Sequence, residues 1–147
     1  MIIYKLCTGT PSDIINHLQN CSNDFIPPLH STVDVSAYAQ KLSKKATLFE
    51  AWVGNELVGL VALYMNQETH LAFITNVSVL KNMRGKGIAQ ELLLNSFKHT
   101  AQNRINCISL EVNERNESAL VLYKNFGFEL VDKNKEQLLL EKKISYE

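Results

Sequence analysis

The alternation of apolar and polar positions along the chain predicts its regular structure. Some stretches are short apolar runs, which are typical of strands, and in others apolar residues recur every three or four positions, as on one face of a helix. In chain order the predicted strands are 2–7, 46–53, 57–65, 70–80, 107–112, 128–131 and 138–142, and the predicted helices are 11–20, 34–44, 87–101 and 116–126. Strands follow one another in the first half and alternate with helices in the second. This order predicts a mixed α/β (α+β) fold of three layers, α/β/α, around a mixed central sheet.

Residues that interrupt regular structure support these boundaries. Gly54 and Asn55 form a two-residue signal for a tight hairpin. Pro27 and Pro28 exclude both helix and central strand from the loop that follows the first helix. No repeat, low-complexity tract or linker divides the sequence, so we expect a single domain over residues 1–147.

Composition and charge narrow the class of protein. The chain is 46% hydrophobic, which is enough for a packed core, and its 15 basic and 15 acidic residues cancel. General attraction to nucleic acid or to an anionic membrane is therefore not expected.

The cysteines, histidines and apolar stretches indicate where the protein resides. The three cysteines are widely spaced, which favours a reducing compartment. Neither the cysteines nor the four scattered histidines have the spacing of metal ligands, so no metal site is predicted. The longest apolar stretch, 57–65, is too short to span a bilayer, and the first residues lack the pattern of a signal peptide. We expect a cytoplasmic protein.

The strongest local signal for chemistry is the segment that follows the strand 70–80. It reads Arg84-Gly85-Lys86-Gly87 and leads directly into a helix. Glycines permit a tight turn in which successive N–H groups point the same way. The first N–H groups of a helix have no partner within the helix, and the helix dipole places partial positive charge there. With two cations nearby, the segment predicts a pocket for a pyrophosphate.

Two common phosphate-binding motifs do not fit this segment. The P-loop requires GxxxxGK[ST], whereas Ile88 follows Gly87 here. The dinucleotide fingerprint GxGxxG requires a third glycine where Gln90 stands. The motif alone leaves a second interpretation open, in which a glycine-rich turn with surface cations binds nothing.

Two blocks of the sequence resemble the GNAT superfamily of acyl-CoA N-acyltransferases. The first, Arg84-Gly85-Lys86-Gly87-Ile88-Ala89, has the family pattern Arg/Gln-x-x-Gly-x-Gly/Ala. The second has the pattern Asn-x-x-Ala-x-x-x-Tyr-x-x-x-Gly-Phe and consists of Asn116, Ala119, Tyr123, Gly127 and Phe128. The two blocks occur in the order and at the separation typical of the family, and the resemblance covers residues 46–131 well.

The resemblance implies a central sheet splayed between its fourth and fifth strands, with acetyl-CoA bound as co-substrate in the gap. It implies that the pantetheine arm pairs with backbone groups of Val77, Ser78 and Val79. The residues implied to hold the pyrophosphate are Arg84, Gly85, Lys86, Gly87, Ile88, Ala89 and Gln90. Asn116 would approach the cofactor, and it also fits an ordinary helix N-cap, which is a compatible role.

Two residues are candidates for proton transfer. The resemblance gives Tyr123 the position of the general acid, and a phenol with a reference pKa of about 10 is protonated at neutral pH. The other interpretation of Tyr123 is a core aromatic on an amphipathic helix. Strand alternation puts Glu111 on the face of Ser109 and Asn113, beside the implied splay, where it would act as the base. Leu-Glu-Val with a tyrosine twelve residues after the glutamate also resembles ribosomal-protein alanine acetyltransferases. The alternative is a solvated glutamate, with water as the base.

The resemblance assigns the acceptor site to the first two helices and the loop between them, 12–44. The apolar segment Phe25-Ile26-Pro27-Pro28-Leu29 would either form a wall of that pocket or pack over the sheet. With Tyr38 and Leu42, it resembles acetyltransferases encoded with surface-polysaccharide enzymes, which act on amino sugars. We therefore rank a small amine or amino sugar above a protein N-terminus as the acceptor. The rival interpretations are a non-catalytic acyl-CoA-binding module and an interaction domain. A homodimer is compatible with the sequence.

Overall fold

The computed structural model describes residues 1–145 and places seven strands in one mixed sheet. The strands are β1 (Ile3–Leu6), β2 (Thr47–Val53), β3 (Glu56–Asn66), β4 (Leu71–Val79), β5 (Cys107–Asn113), β6 (Glu129–Asn134) and β7 (Gln137–Lys143). The helices are α1 (Pro11–Cys21), α2 (Val35–Lys45), α3 (Ile88–Gln102) and α4 (Glu117–Asn125). Across the sheet the strand order is β1-β2-β3-β4-β5-β7-β6, and only β4 and β5 pair in parallel.

The predicted fold class and element order are confirmed, and the predicted ends differ from the observed ones by at most three residues. The loop after α1 is more ordered than expected, because it contains short 3₁₀ turns at Ser22–Asp24 and Leu29–Ser31. Within residues 1–145, no helix has both the length and the apolar character needed to cross a membrane.

Two buried apolar clusters, one on each face of the sheet, form the contacts between the three layers. On one face of the sheet, α1 and α2 cover β2 and β3 with the buried residues Ile14, Leu18, Ala39, Leu42, Leu48, Leu60 and Ala62. On the other face, α3 and α4 pack on the sheet with the buried residues Ile88, Leu92, Leu93, Ile108, Leu110 and Tyr123. Each helix therefore buries one apolar stripe, as the three-to-four-residue spacing predicts.

The sheet opens between β4 and β5. Parallel pairing runs from Leu71 with Cys107 to Ile74 with Leu110 and ends there, although both strands continue. A bulge lies at this point, because Thr75 of β4 has no counterpart in the register with β3. Bulges bend a strand and increase its twist, which moves the end of β4 away from β5. The predicted splay is confirmed.

Gly59 of β3 allows α3 to approach the sheet closely. A Cβ atom at this position would lie 2.6 Å from Ile88 Cγ2, 3.2 Å from Leu92 Cδ1 and 3.3 Å from Ala51 Cβ. Real Cβ atoms do not approach other carbons to 2.6 Å, so either α3 or β3 would have to move. Gly59 therefore determines where the amino end of α3 lies relative to β4.

We expect Gly59→Ala to lower the free energy of unfolding by about 1–3 kcal/mol, the usual effect of overpacking a core. Urea denaturation measures this directly. The double variant Gly59→Ala/Ile88→Ala removes Cγ2, so the loss should be smaller than the sum of the two single losses. Strictly additive losses would show that the contact with Ile88 is not the cause.

Candidate active site

A cleft of about 480 Å³ lies beside the end of β4 that diverges from β5. The end of α1 and the connection after it contribute Cys21, Asp24 and Phe25. From β4 and the turn after it come Val77, Ser78, Val79, Met83, Arg84, Gly85 and Gly87, and from the first turn of α3 come Ile88, Ala89 and Gln90. The N-cap of α4 and the helix itself contribute Asn116, Ser118, Ala119, Leu122 and Tyr123. The structure thus brings together all of the predicted cofactor-binding residues except Lys86. Their individual roles stay predictions.

The turn before α3 is shaped by two glycines in the left-handed region. Gly85 has φ 78° and Gly87 has φ 77°, values that glycine adopts without strain. No side chain caps α3, whose N-cap is Gly87, whereas Thr10, Asp34 and Asn116 cap the other helices. A Cβ at either glycine would meet nothing within 4 Å. The amino end of α3 therefore faces open space with its first N–H groups available to an anion.

The two cations of this turn differ in their placement. The Arg84 guanidinium lies 3.0 Å from the Asp24 carboxylate, and both side chains line the cleft. This ion pair connects the α1–α2 connection to the turn before α3. Lys86 lies outside the cleft lining, which the sequence pattern did not predict. Anion binding here would rest on backbone N–H groups and the dipole of α3 more than on free side-chain charge.

The edge of β4 presents backbone groups to the cleft. The Leu80 N–H donates to the Val58 carbonyl of β3 at 2.9 Å. Successive residues of a strand direct their backbone groups to opposite edges. Val79 and Val77 therefore direct their N–H and C=O groups toward the side of β5, beyond the last pair between the two strands. These groups are placed to pair with an extended amide-containing ligand.

A buried histidine of α1 connects this helix to β3 and β4 by hydrogen bonds. His17 of α1 is 1% exposed, and its Nδ1 lies 3.0 Å from the Leu57 carbonyl of β3 while its Nε2 lies 2.9 Å from Ser78 Oγ of β4. Burial lowers the pKa of His17 to about 4, against weaker opposing hydrogen bonds to Leu57 and Ser78, so the ring is neutral at physiological pH. The sequence interpretation gave His17 no role. His17 lies on the apolar stripe of α1 with Ile14 and Leu18, and this position could have indicated that its side chain is buried.

Tyr123 lies at the centre of the site. Its side chain is 7% exposed, and its ring packs edge-on against Phe128 at a centroid distance of 5.7 Å. Burial raises the pKa of Tyr123 well above its usual value of about 10. Within residues 1–145 the hydroxyl has no hydrogen-bond partner, so its proton is available to a ligand.

A second cavity of about 140 Å³ adjoins the first, and Phe25, Val77, Asn116 and Tyr123 line both. Its other lining residues are Ile26, Ile74, Thr75, Asn76, Leu110, Glu111, Val112, Asn113 and Gln137. Glu111 is exposed. The structure therefore places both residues predicted to transfer protons, Tyr123 and Glu111, in one cavity.

Asn116 is the N-cap of α4, as the sequence predicted, and it also lines both cavities. Its Oδ1 accepts a hydrogen bond from the Ala119 N–H at 3.3 Å, which caps α4. The same side chain belongs to the lining of both cavities. The parted strands and the uncapped helix end beside them define an α/β protein with two adjoining cavities at a break in its sheet, a common place for ligand sites in α/β folds.

Comparison with known proteins identifies the family. The profile of the acetyltransferase (GNAT) family matches residues 13–128. The chain belongs to the GNAT acetyltransferase family, a family of enzymes whose acyl donor is acetyl-CoA. The resemblance inferred from the two sequence blocks is thereby confirmed.

Relatives share the sequence in part and the fold nearly throughout. The N-alpha-acetyltransferase MAK3 of Arabidopsis thaliana is 32% identical over 82 residues, which are 54% of this chain and 43% of the relative, so the chain matches less than half of that protein. The ribosomal-protein-S18-alanine N-acetyltransferase of Escherichia coli superposes with a TM-score of 0.80 at 15% identity, over 99% of this chain and 95% of the other. The PaiA N-acetyltransferase of Thermoplasma acidophilum, solved in complex with coenzyme A, gives 0.74 at 14% identity, over 96% and 99%. The two structures show the shared fold.

Proposed function

We propose that this chain transfers an acetyl group from acetyl-CoA to a primary amine by direct attack within a ternary complex. One observation carries the proposal. Tyr123 lines both the larger cleft, which would hold an extended nucleotide cofactor, and the smaller cavity, which Glu111 also lines. A donor in the first cavity and an amine in the second would meet beside the Tyr123 hydroxyl.

The cofactor would lie along β4 and over the amino end of α3. The backbone groups of Val77 and the carbonyl of Val79 face the gap and would pair with the pantetheine arm. The segment from Arg84 to Gln90 would hold the pyrophosphate by N–H groups around Gly87. The Val79 N–H would stabilise the developing oxyanion, since a fixed N–H dipole requires no reorganisation during the reaction.

Two proton transfers complete the reaction. The amine must lose a proton before or during attack, and Glu111 would accept it, either directly or through one water. The departing thiolate must gain a proton, and Tyr123 would donate it. The raised pKa of Tyr123 keeps the phenol protonated throughout the neutral range. Alignment of the two reactants supplies much of the remaining acceleration, about 7–11 kcal/mol in favourable cases.

The small volume of the second cavity supports a compact acceptor group, in line with a small amine or an amino sugar. A protein N-terminus is the second candidate, and the local similarity to an N-alpha-acetyltransferase favours it.

The discriminating experiment follows release of free thiol from acetyl-CoA in the presence of small amines, amino sugars and short peptides. Calorimetric measurement of coenzyme A binding separates the enzyme from a non-catalytic acyl-CoA-binding module and from a domain that binds no cofactor. Binding without turnover of any amine would point to a non-catalytic module, and absence of binding would remove the cofactor site.

The role of Glu111 as base predicts a characteristic dependence on pH. Glu111→Gln should lower turnover and leave the affinity for coenzyme A nearly unchanged, since the residue lines only the smaller cavity. The deficit should shrink between about pH 6 and 9.5, because more of the amine then arrives already neutral. The measurement is turnover against pH for both forms with one good acceptor. Parallel curves across the range would leave Glu111 as a solvated glutamate.

A further inference from the structure

The side chains of the smaller cavity specify more than a primary amine. We infer that the acceptor has a neutral oxygen, in a hydroxyl or a carbonyl group, on the carbon next to its amino-bearing carbon. An amine with a carboxylate on that carbon would be rejected. This inference rests on the proposed function. The two hydrogen-bond donors that would recognise this oxygen are the side-chain NH₂ groups of Asn113 and Asn116.

The orientation of both carboxamides is fixed by backbone donors. Asn113 Oδ1 accepts from the Arg115 N–H at 2.9 Å, and Asn116 Oδ1 accepts from the Ala119 N–H at 3.3 Å. Because a backbone N–H can only donate, the oxygen of each amide must face it, and each NH₂ group must face the other way.

Asn113 provides one of these donors to the smaller cavity. The residue is 4% exposed and lines the smaller cavity. Within residues 1–145, its NH₂ group donates to no protein acceptor, and this nitrogen is not among the fully enclosed unpaired polar atoms, so it is open to a molecule in the cavity. An oxygen atom of a bound acceptor would satisfy it.

Glu111 supplies the charge selection. In the register of β5 with β7, Glu111 is opposite Leu139 and Asn113 is opposite Gln137, so Glu111, Asn113 and Gln137 lie on one face of the sheet. A substrate ammonium is attracted to the Glu111 carboxylate, and a substrate carboxylate held by Asn113 would be repelled by it. No Lys or Arg is among the residues that line this cavity in the described part of the chain.

This chemistry is shared by two kinds of acceptor. A 2-amino sugar has a hydroxyl next to the amino-bearing carbon, and the N-terminus of a peptide has a carbonyl there. A free amino acid has a carboxylate in the same place. The site would therefore accept either of the first two and discriminate against the third.

The test uses amines on one carbon skeleton, with kcat/KM expressed per neutral amine to remove differences in amine basicity. Alaninamide and 2-amino-1-propanol should exceed isopropylamine, which has no oxygen, by about tenfold or more. They should exceed alanine by a similar factor. Glucosamine and an alanyl peptide amide, measured alongside, show which source of the neutral oxygen the enzyme prefers.

Asn113→Asp keeps the Oδ1 that accepts from Arg115 and removes the NH₂ group. It should reduce the ratio of kcat/KM for alaninamide to kcat/KM for isopropylamine by about tenfold, with an unaltered unfolding midpoint as the control. Equal rates for alaninamide, isopropylamine and alanine in the wild-type protein would overturn this inference alone. No turnover of any amine would overturn both it and the proposed function.

Discussion

Replacing Tyr123 by phenylalanine should lower the rate of acetyl transfer by about 10²–10⁴, the range for one lost acid–base group. The change removes only the hydroxyl, because a phenylalanine ring keeps the edge-on contact with Phe128. Since the hydroxyl has no partner within residues 1–145, no protein group loses a hydrogen bond. Folding and coenzyme A affinity should therefore survive. The rate is best measured in a single turnover, so that product release does not mask the chemical step.

Tyr64→Phe is the matched control for the loss of a phenol. Its hydroxyl is buried without a partner in the part of the chain that the structure describes, and the residue lines neither cavity. Its removal should leave the rate unchanged. The pH profile gives a second check, because the raised pKa of Tyr123 predicts that this group causes no loss of activity up to its usual pKa of about 10. A Tyr123→Phe variant with most of its activity would return Tyr123 to the role of a core aromatic.

The elements of this fold were predictable because each depends on local spacing. Period-two and period-3.6 patterns depend on neighbouring residues, and breakers such as Gly54 with Asn55 lie within the same short window. The glycine turn proposed to bind pyrophosphate could be found for the same reason, since Gly85, Gly87 and the helix that follows them are contiguous. The splay came from the resemblance, because nothing in the pattern of β4 or β5 shows that their pairing stops at Ile74.

The contacts that complete the site depend on residues distant in the chain. His17 and Ser78 are 61 positions apart, and their hydrogen bond requires that α1 cross behind β4. The pair of Asp24 with Arg84 likewise depends on how the α1–α2 connection passes the turn. The spacing of apolar residues along the sequence indicates on which face of a helix or strand a side chain lies, but it does not indicate which residues that side chain contacts. Phe25 shows this, since it lines both cavities and also packs against both apolar clusters, so the two sequence interpretations of its segment are compatible.

Gly87→Asp should abolish detectable binding of acetyl-CoA, with a loss of affinity of about 100-fold or more. The new carboxylate would stand at the amino end of α3, where the proposed pyrophosphate site lies, and two like charges about 4 Å apart repel by about 4 kcal/mol at an effective dielectric constant of 20. The effect on folding should be small, because an acidic side chain at a helix N-terminus is favourable for the helix dipole. Calorimetric titration with coenzyme A measures the affinity, and thermal unfolding confirms that the variant is folded.

Gly87→Asn separates charge from backbone strain. Gly87 has φ 77°, and asparagine and aspartate tolerate this left-handed conformation better than most residues. The two variants therefore share shape and backbone strain and differ in one charge. We expect the asparagine variant to lose about tenfold in affinity or less, and the gap between the two to narrow as salt is raised, because ions screen the repulsion. Equal affinities for coenzyme A in the two variants would mean that the pyrophosphate lies away from the amino end of α3.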